Sequence, residues 1–326
     1  MKTAAYLGAL LGVALLIALG VRSDLGAMLY TLGVAGWQLL WLVPYRGLYF
    51  ILYAVGWYLL LRPYDPSRAA GFGYVLWVTT VREAIDRLLP VATVGGSVAG
   101  VRLMSWRGIG KVPATATVVV EILLTLSVLY AFTALGLVLL ANRGAGDSYQ
   151  RLLVGFLCSL PVPIVTAALL SYGSVFGRLQ RVLSRVAGVG VLVESAAKAL
   201  DDELHACLRR GGTLLVVGSL QLIAWISGAF EVWFVLRIFG HPVGVSAALI
   251  LESTMQALRH LAFLVPAGIG VQEASLVMFG HLLGISSEQA LGVSMAKRIR
   301  EVLCGLPPLL SWQWLEGLRL AKPGKR

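Results

Sequence analysis

Apolar residues in this chain do not alternate with polar ones. They come in runs that approach or reach the roughly 20 residues a helix needs to cross a bilayer. The runs are 4–21, 25–43, 47–61, 71–94 (interrupted by charge), 112–141, 152–172, 213–239 and 245–265. A last stretch, 269–314, should be broken into shorter apolar pieces by Gly284, Arg298 and Pro307-Pro308. A membrane barrel would instead show alternation in short segments of about 10 residues. The pattern predicts an all-α fold, a polytopic transmembrane helical bundle with broken or re-entrant helices. No polar stretch is long enough to form a separate soluble core, so residues 1–326 should form one integral membrane domain.

Polar segments orient the bundle. The one substantial polar connection, 177–212, carries Arg178, Arg181, Arg185, Lys198, Arg209 and Arg210 against Glu194, Asp201, Asp202 and Glu203. Lys and Arg accumulate in cytoplasmic loops, which places this connection, and the basic tail from Arg319 to Arg326, on the cytoplasmic side. Within it, 188–208 has helical spacing and reads either as a helix lying on the membrane or as a solvated linker helix. Run 4–21 has no small-residue cleavage site behind it and reads as a retained first helix. The early runs hold many interfacial aromatics, among them Tyr30, Trp37, Trp41, Tyr45, Tyr49, Tyr53 and Trp57.

Composition agrees with the pattern. The chain is 58% hydrophobic and 13% charged, with mean hydropathy +0.82. Its net charge of +11 would suggest nucleic acid in a soluble protein. Here the cations sit in loops and at the ends of apolar runs, where they set topology and meet anionic lipid headgroups. The expected partners are therefore membrane lipids, with no nucleic acid, and a homo-oligomer is compatible. Cys158, Cys207 and Cys304 lack metal-like spacing, and no Walker motif, nucleophile elbow or HExxH stands in the chain. We expect no cofactor, no metal and no enzymatic activity.

The two ends of the chain share a rhythm. Pro90 and Pro266 are 176 residues apart, and the same offset pairs Gly108 with Gly284, Ala114 with Ala290 and Ser97 with Glu273. Each proline leads into a glycine-rich stretch. Matching Gly/Pro interruptions in two halves point to a transporter-like site between repeats, here roughly 71–173 and 245–317.

Charge inside such runs marks function by default. Four clusters stand out. In Arg82-Glu83-xx-Asp86-Arg87, helical spacing would pair Arg82 with Asp86 and Glu83 with Arg87; the cluster is either a self-neutralised interfacial helix or the rim of a headgroup cavity. Glu121 lies alone in an apolar run and should face the interior, as a functional group or as an arginine's partner. Glu252, Gln256 and Arg259 share one helical face, with His260 beside them. Glu273 ends the kink Pro266-Ala267-Gly268-Ile269-Gly270-Val271-Gln272 and could meet a cation of Lys297-Arg298-xx-Arg300-Glu301, where Lys297 and Glu301 could also pair locally. Arginines beside the N-terminus of a broken helix suit a phosphate or lipid headgroup.

These residues carry a resemblance. Glu252, Ser253, Gln256, Ala257 and Arg259, followed by Phe263-Leu264-Val265-Pro266-Ala267-Gly268-Ile269-Gly270-Val271-Gln272-Glu273, resemble the lysylphosphatidylglycerol synthase transmembrane (flippase) domain family. Ser294, Lys297, Arg298, Arg300, Glu301, Gly305, Pro307, Trp312, Gln313, Glu316 and Gly317 resemble its hopanoid-biosynthesis-associated, HpnL-like members most. Leu89-Pro90 and Gly95-Gly96 also fit. In the family an acidic residue commonly follows the first-half glycine pair; Ser97 stands there instead, which puts a symmetric coupling role at 97 in doubt. Some members add a synthase domain; the chain shows none, so aminoacyl transfer is not expected to carry over.

The resemblance implies lipid translocation in the bacterial inner membrane, with an anionic phospholipid, hopanoid or polyprenyl-linked lipid as cargo. Arg259, Arg298 and Arg300 would hold an anionic group. Glu252 and Glu273 would balance them, hold a cationic headgroup or carry a proton. The alternatives are a membrane-embedded transferase with Glu121 or Glu273 as base, and a scaffold for hopanoid enzymes.

Overall fold

The computed structural model describes residues 36–89, 95–143, 146–161, 192–262 and 268–321, with isolated residues 33, 165, 166, 168 and 265. Predicted run 4–21, most of 25–43, the end of 152–172, the start of the polar connection, Pro90, Pro266 and residues 322–326 lie outside them.

The described residues are helical, without strands. A 3-10 segment, Gly36–Trp41, leads directly into α1, Leu42–Leu61. The sequence placed a break near Pro44 between two runs; the structure carries one helical stretch through it. Pro44 falls in the first turn of α1, where a missing N–H costs no helical bond. After a second 3-10 turn, Arg62–Tyr64, come α2, Phe72–Leu88, and the short α3, Gly95–Ser105. The long α4 follows, Lys111–Ala141, then α5, Gly146–Ser159. The chain continues as α6, Leu192–Leu208, α7, Gly211–Ile238, and α8, Val245–Leu261. It closes with α9, Val271–Leu282, and α10, Ser287–Ala321.

Among the described residues, three helical stretches are long and apolar enough to cross a membrane: Gly36–Tyr64, Lys111–Ala141 and Gly211–Ile238. Predicted runs 71–94 and 245–265 resolve differently. Their helices, α2 and α8, have 17 residues each. At 1.5 Å per residue that is about 25 Å, short of the roughly 30 Å hydrocarbon core. Each is followed in the chain by another short helix, α3 of 11 residues and α9 of 12.

The final stretch departs from expectation in the other direction. Gly284 does break it, with φ +75°, but α10 runs unbroken for 35 residues past Arg298 and through Pro307-Pro308. Each proline removes a backbone donor; packing against α2 holds this part of the helix. Gly305 lets Leu88 and Ala84 approach closely, and Trp77 Nε1 donates to Ser311 Oγ at 2.9 Å.

Element boundaries repeat at the offset seen in the sequence. α3 and α9 begin at Gly95 and Val271, and α4 and α10 at Lys111 and Ser287, each 176 apart. The turns before α4 and α10 both hang on a positive-φ glycine, Gly108 at +83° and Gly284 at +75°. Contacts follow suit: α4 packs against α8, and α10 against α2. One apolar core joins α1–α4 with Leu204 and Cys207 of α6, so α6 is docked on the bundle rather than free. Burial pushes the Cys207 thiol pKa up. A second core joins α7–α10 around Val235, Leu251, Phe279 and Val293.

Candidate functional site

The break between α8 and α9 is held by side chains that hydrocarbon would reject. Arg259, in the last turn of α8, lies along Gly268; a Cβ there would sit 3.0 Å from Arg259 Cγ, and φ is +60°. From that position Arg259 Nη1 donates to Gln272 Oε1 at 2.8 Å and to Glu301 Oε1 at 3.2 Å. The Gly270 N–H, at a φ of +80° that favours glycine, donates to Glu273 Oε2 at 2.8 Å. A carboxylate at the third position of a helix thereby satisfies an orphan N–H and complements the helix dipole.

Helix α10 supplies the other side. Ser294 Oγ donates to Glu273 Oε1 at 2.8 Å, and Gln272 Nε2 donates to Ser294 Oγ at 2.8 Å. Arg298 Nε donates to Glu273 Oε1 at 3.2 Å, and Arg298 Nη2 to the Gly268 carbonyl at 3.2 Å. The cation expected for Glu273 is thus Arg298. Irregular backbone is tolerated in hydrocarbon where protein satisfies it, and here the Gly270 N–H and the Gly268 carbonyl each find a side-chain partner.

One helical turn away is a deeper group. Lys297 Nζ is 2.9 Å from Glu252 Oε2 and 3.7 Å from Glu231 Oε2. Arg300 Nε is 3.1 Å from Glu231 Oε1, and Gln256 Nε2 donates to Glu252 Oε1 at 2.8 Å. Glu252, Glu231, Lys297 and Arg300 are only 2–4% exposed. Burying these charges is tolerable because they are paired; removing one partner costs about 3–5 kcal/mol. Gly228 on α7 makes room for Glu252, since a Cβ would come within 2.8 Å of its Oε1.

Glu301 ties the groups together. Arg259 at 3.2 Å, Arg298 at 3.5 Å, Arg300 at 3.8 Å and Arg87 at 3.9 Å converge on this carboxylate. Arg87 Nε in turn reaches Glu83 Oε1 at 2.9 Å, and Arg46 Nη2 the same oxygen at 2.8 Å. Two expected local pairs give way to longer ones. Lys297 pairs with Glu252 rather than Glu301, because α8 and α7 present carboxylates to its buried face. Arg82 pairs with Glu121 of α4 at 2.8 Å rather than Asp86, which accepts the Gly96 N–H at 2.8 Å instead.

Of the first-half cluster, Glu83 and Arg87 thus lead to Glu301, and Arg82 stands apart with Glu121. Arg82 passes close beside Gly100 and stacks over Trp57 at 4.3 Å. Glu121 is therefore the partner of an arginine. Ser97 lies half-buried in the first turn of α3. His260 Nδ1 bonds the Gln256 carbonyl at 2.8 Å, with its ring 5.3 Å from Trp225. Glu252, Gln256, Arg259, Glu273, Lys297, Arg298, Arg300 and Glu301 form one assembly; Arg82, Glu121 and Ser97 lie in the other half.

Sequence reasoning missed Arg46 and Glu231. Glu231 interrupts an apolar run much as Glu121 does and could have been found by the same rule. Arg46 falls between the runs 25–43 and 47–61 and drew no reading.

A family model described as the lysylphosphatidylglycerol synthase TM region matches residues 6–306. The chain belongs to that family of membrane domains, and with its spanning helices it is a membrane protein. No curated protein and no solved structure matches it.

Proposed function

We propose that this protein moves a lipid headgroup across the bacterial inner membrane, with its C-terminus on the cytoplasmic side, and does no covalent chemistry on its cargo. The observation that carries the reading is the α8–α9 break. There Arg259, Arg298 and Glu273 replace the hydration that a charged headgroup would lose in hydrocarbon. A bare charge at mid-bilayer costs about 2.5–3.5 kcal/mol even on permissive insertion scales. Lipid tails would stay in the bilayer while the headgroup passes this polar seam. Opposite charges in exchangeable pairs can hand a headgroup on, since each pair broken is replaced by a pair with the cargo. Membership of a lipid-related membrane family points the same way, and the hopanoid connection rests on resemblance alone.

A transferase would need a free carboxylate as base. Glu121 lies 2.8 Å from Arg82 Nη2 and Glu273 3.2 Å from Arg298 Nε, so each is already engaged by a guanidinium group. Native mass spectrometry with lipid identification, on gently purified protein and its Arg298→Ala variant, tests the proposal. A discrete lipid lost from the variant is expected. Bulk phospholipid in equal amounts on both would overturn the assignment of this site.

A further inference from the structure

Helix α2 carries a carboxylate that no cation meets. Glu83, Glu121, Glu231, Glu252, Glu273 and Glu301 each have a guanidinium or ammonium nitrogen within 3.2 Å. Asp86 is half-buried, and among the described residues its one polar partner is the Gly96 N–H of α3, which donates to Oδ1 at 2.8 Å.

The charges around Asp86 are engaged elsewhere. On α2, Arg87 lies 2.9 Å from Glu83, and Arg46 of α1 and Glu301 of α10 complete that set. The one charged residue of α3, Arg102, lies against Glu316. Arg82, one turn before Asp86, crosses to Glu121 of α4, with Nη2 2.8 Å from Oε2. One guanidinium group thus serves two carboxylates. Its contact with Glu121 is close but badly aligned: Glu121 Oε2 makes no hydrogen bond, and Arg82 Nε and Nη1 are buried without partners. Buried donors on a charged group are costly to leave unmade. Arg82 is held where it is by charge and by stacking on Trp57, with donors left to give.

Helix α3 feels both side chains. At Gly96 a Cβ would come 2.6 Å from Asp86 Oδ2, and at Gly100, one turn on, 2.6 Å from Arg82 Cδ. These glycines let α3 lie directly on Asp86 and Arg82, so a shift of either side chain is passed to α3.

We propose that Asp86 is a proton-binding site and that its ionisation state selects the partner of Arg82. With a proton on Oδ2, Asp86 still accepts the Gly96 N–H through Oδ1 and leaves Arg82 on Glu121, the arrangement seen here. The trio is then neutral, one cation with one anion. Ionised, Asp86 competes for Arg82 at the i,i+4 spacing where such pairs form, and Glu121 yields part of its contact. The inference extends the transport reading by giving the movement a proton to run on; proton binding itself does not require transport.

Infrared difference spectroscopy on the full chain in phosphatidylcholine vesicles tests this. As the pH falls from alkaline to acid, the first carboxylic-acid C=O band to grow in should be lost in Asp86→Asn, which keeps an amide oxygen for Gly96. In Glu121→Gln, Arg82 is free to turn to Asp86, and the opposite charge should move the midpoint of that band down by about one pH unit. A first band that survives in Asp86→Asn overturns the proton site, and an unmoved midpoint in Glu121→Gln overturns the switch. Should Asp86→Asn fail to fold, Asp86→Ser decides by the same criterion. Lipid movement in the same vesicles separates the two readings. A band lost in Asp86→Asn, with no lipid moved by the wild type, sinks transport and spares the proton site; lipid movement with the band unaffected does the reverse.

Discussion

The pairs α2–α3 and α8–α9 start their second helices at one sequence offset and differ in chemistry. Between α2 and α3, Asp86 binds the Gly96 N–H across the break, and Arg82 and Glu121 close on each other nearby. Between α8 and α9, Arg259 and Glu273 reach past the break to Gln272, Ser294, Arg298 and Glu301. At the offset of 176, Glu273 and Arg298 correspond to Ser97 and Ile122, and Lys297 to Glu121. Ile122 is 52% exposed, on the outside of the bundle. The first half therefore lacks both members of the Glu273–Arg298 pair, not the carboxylate alone. Helix starts recur at one offset, while the Glu273–Arg298 pair has no counterpart at 97 and 122.

The largest test of this asymmetry is Lys297→Ala. It leaves Glu231 and Glu252 buried without their shared cation and should cost about 3–5 kcal/mol, read as thermal unfolding in detergent. Glu121→Ala, at the equivalent place, should cost less, because Arg82 keeps its stacking on Trp57. Equal losses would mean that both halves depend on buried charge alike.

Next in size is the contact between halves. Gly136 of α4 faces Ser253 of α8 so closely that a Cβ would collide with Oγ. The equivalent positions in the α10–α2 contact are Trp312 and Trp77. Gly136→Ala should destabilise by about 1–3 kcal/mol through overpacking, and adding Ser253→Gly should recover most of it. Without recovery, the loss would have to arise elsewhere than in this contact. In the wider interface, Trp77→Phe removes one hydrogen bond to Ser311 and should cost only about 1 kcal/mol.

The smallest effect sharpens the comparison most. Ser97→Glu places a carboxylate in the first turn of α3, worth about 0.3–1 kcal/mol against the helix dipole. It should add nothing to lipid movement, since position 122 offers no cation. Increased translocation by this variant in proteoliposomes would show that a lone carboxylate suffices.

Much of this was legible beforehand. Long apolar runs fixed the helical class, and glycine spacing gave the offset that the helix starts repeat. The polar stripe Glu252, Gln256 and Arg259 and the Glu273 kink were found because ionisable residues are conspicuous in hydrocarbon. Their partners were not, because pairing depends on which helices become neighbours. Lys297 could equally reach Glu301 along its own helix, and only the approach of α7 and α8 decides for Glu252. Pro307-Pro308 misled for a related reason: local propensity predicts a stop, but packing on α2 carries α10 through. Glu231 was missed although its signal was present, and Arg46 because it fell in the short gap between two apolar runs.

The central claim is that headgroup passage belongs to the second break. Its most direct test is dithionite bleaching of fluorescent phospholipid in proteoliposomes, comparing two pairwise neutralisations. Arg298→Gln with Glu273→Gln should abolish translocation above protein-free vesicles, while Arg82→Gln with Glu121→Gln should leave most of it. The opposite order, or equal loss from both in folded protein, would contradict the account.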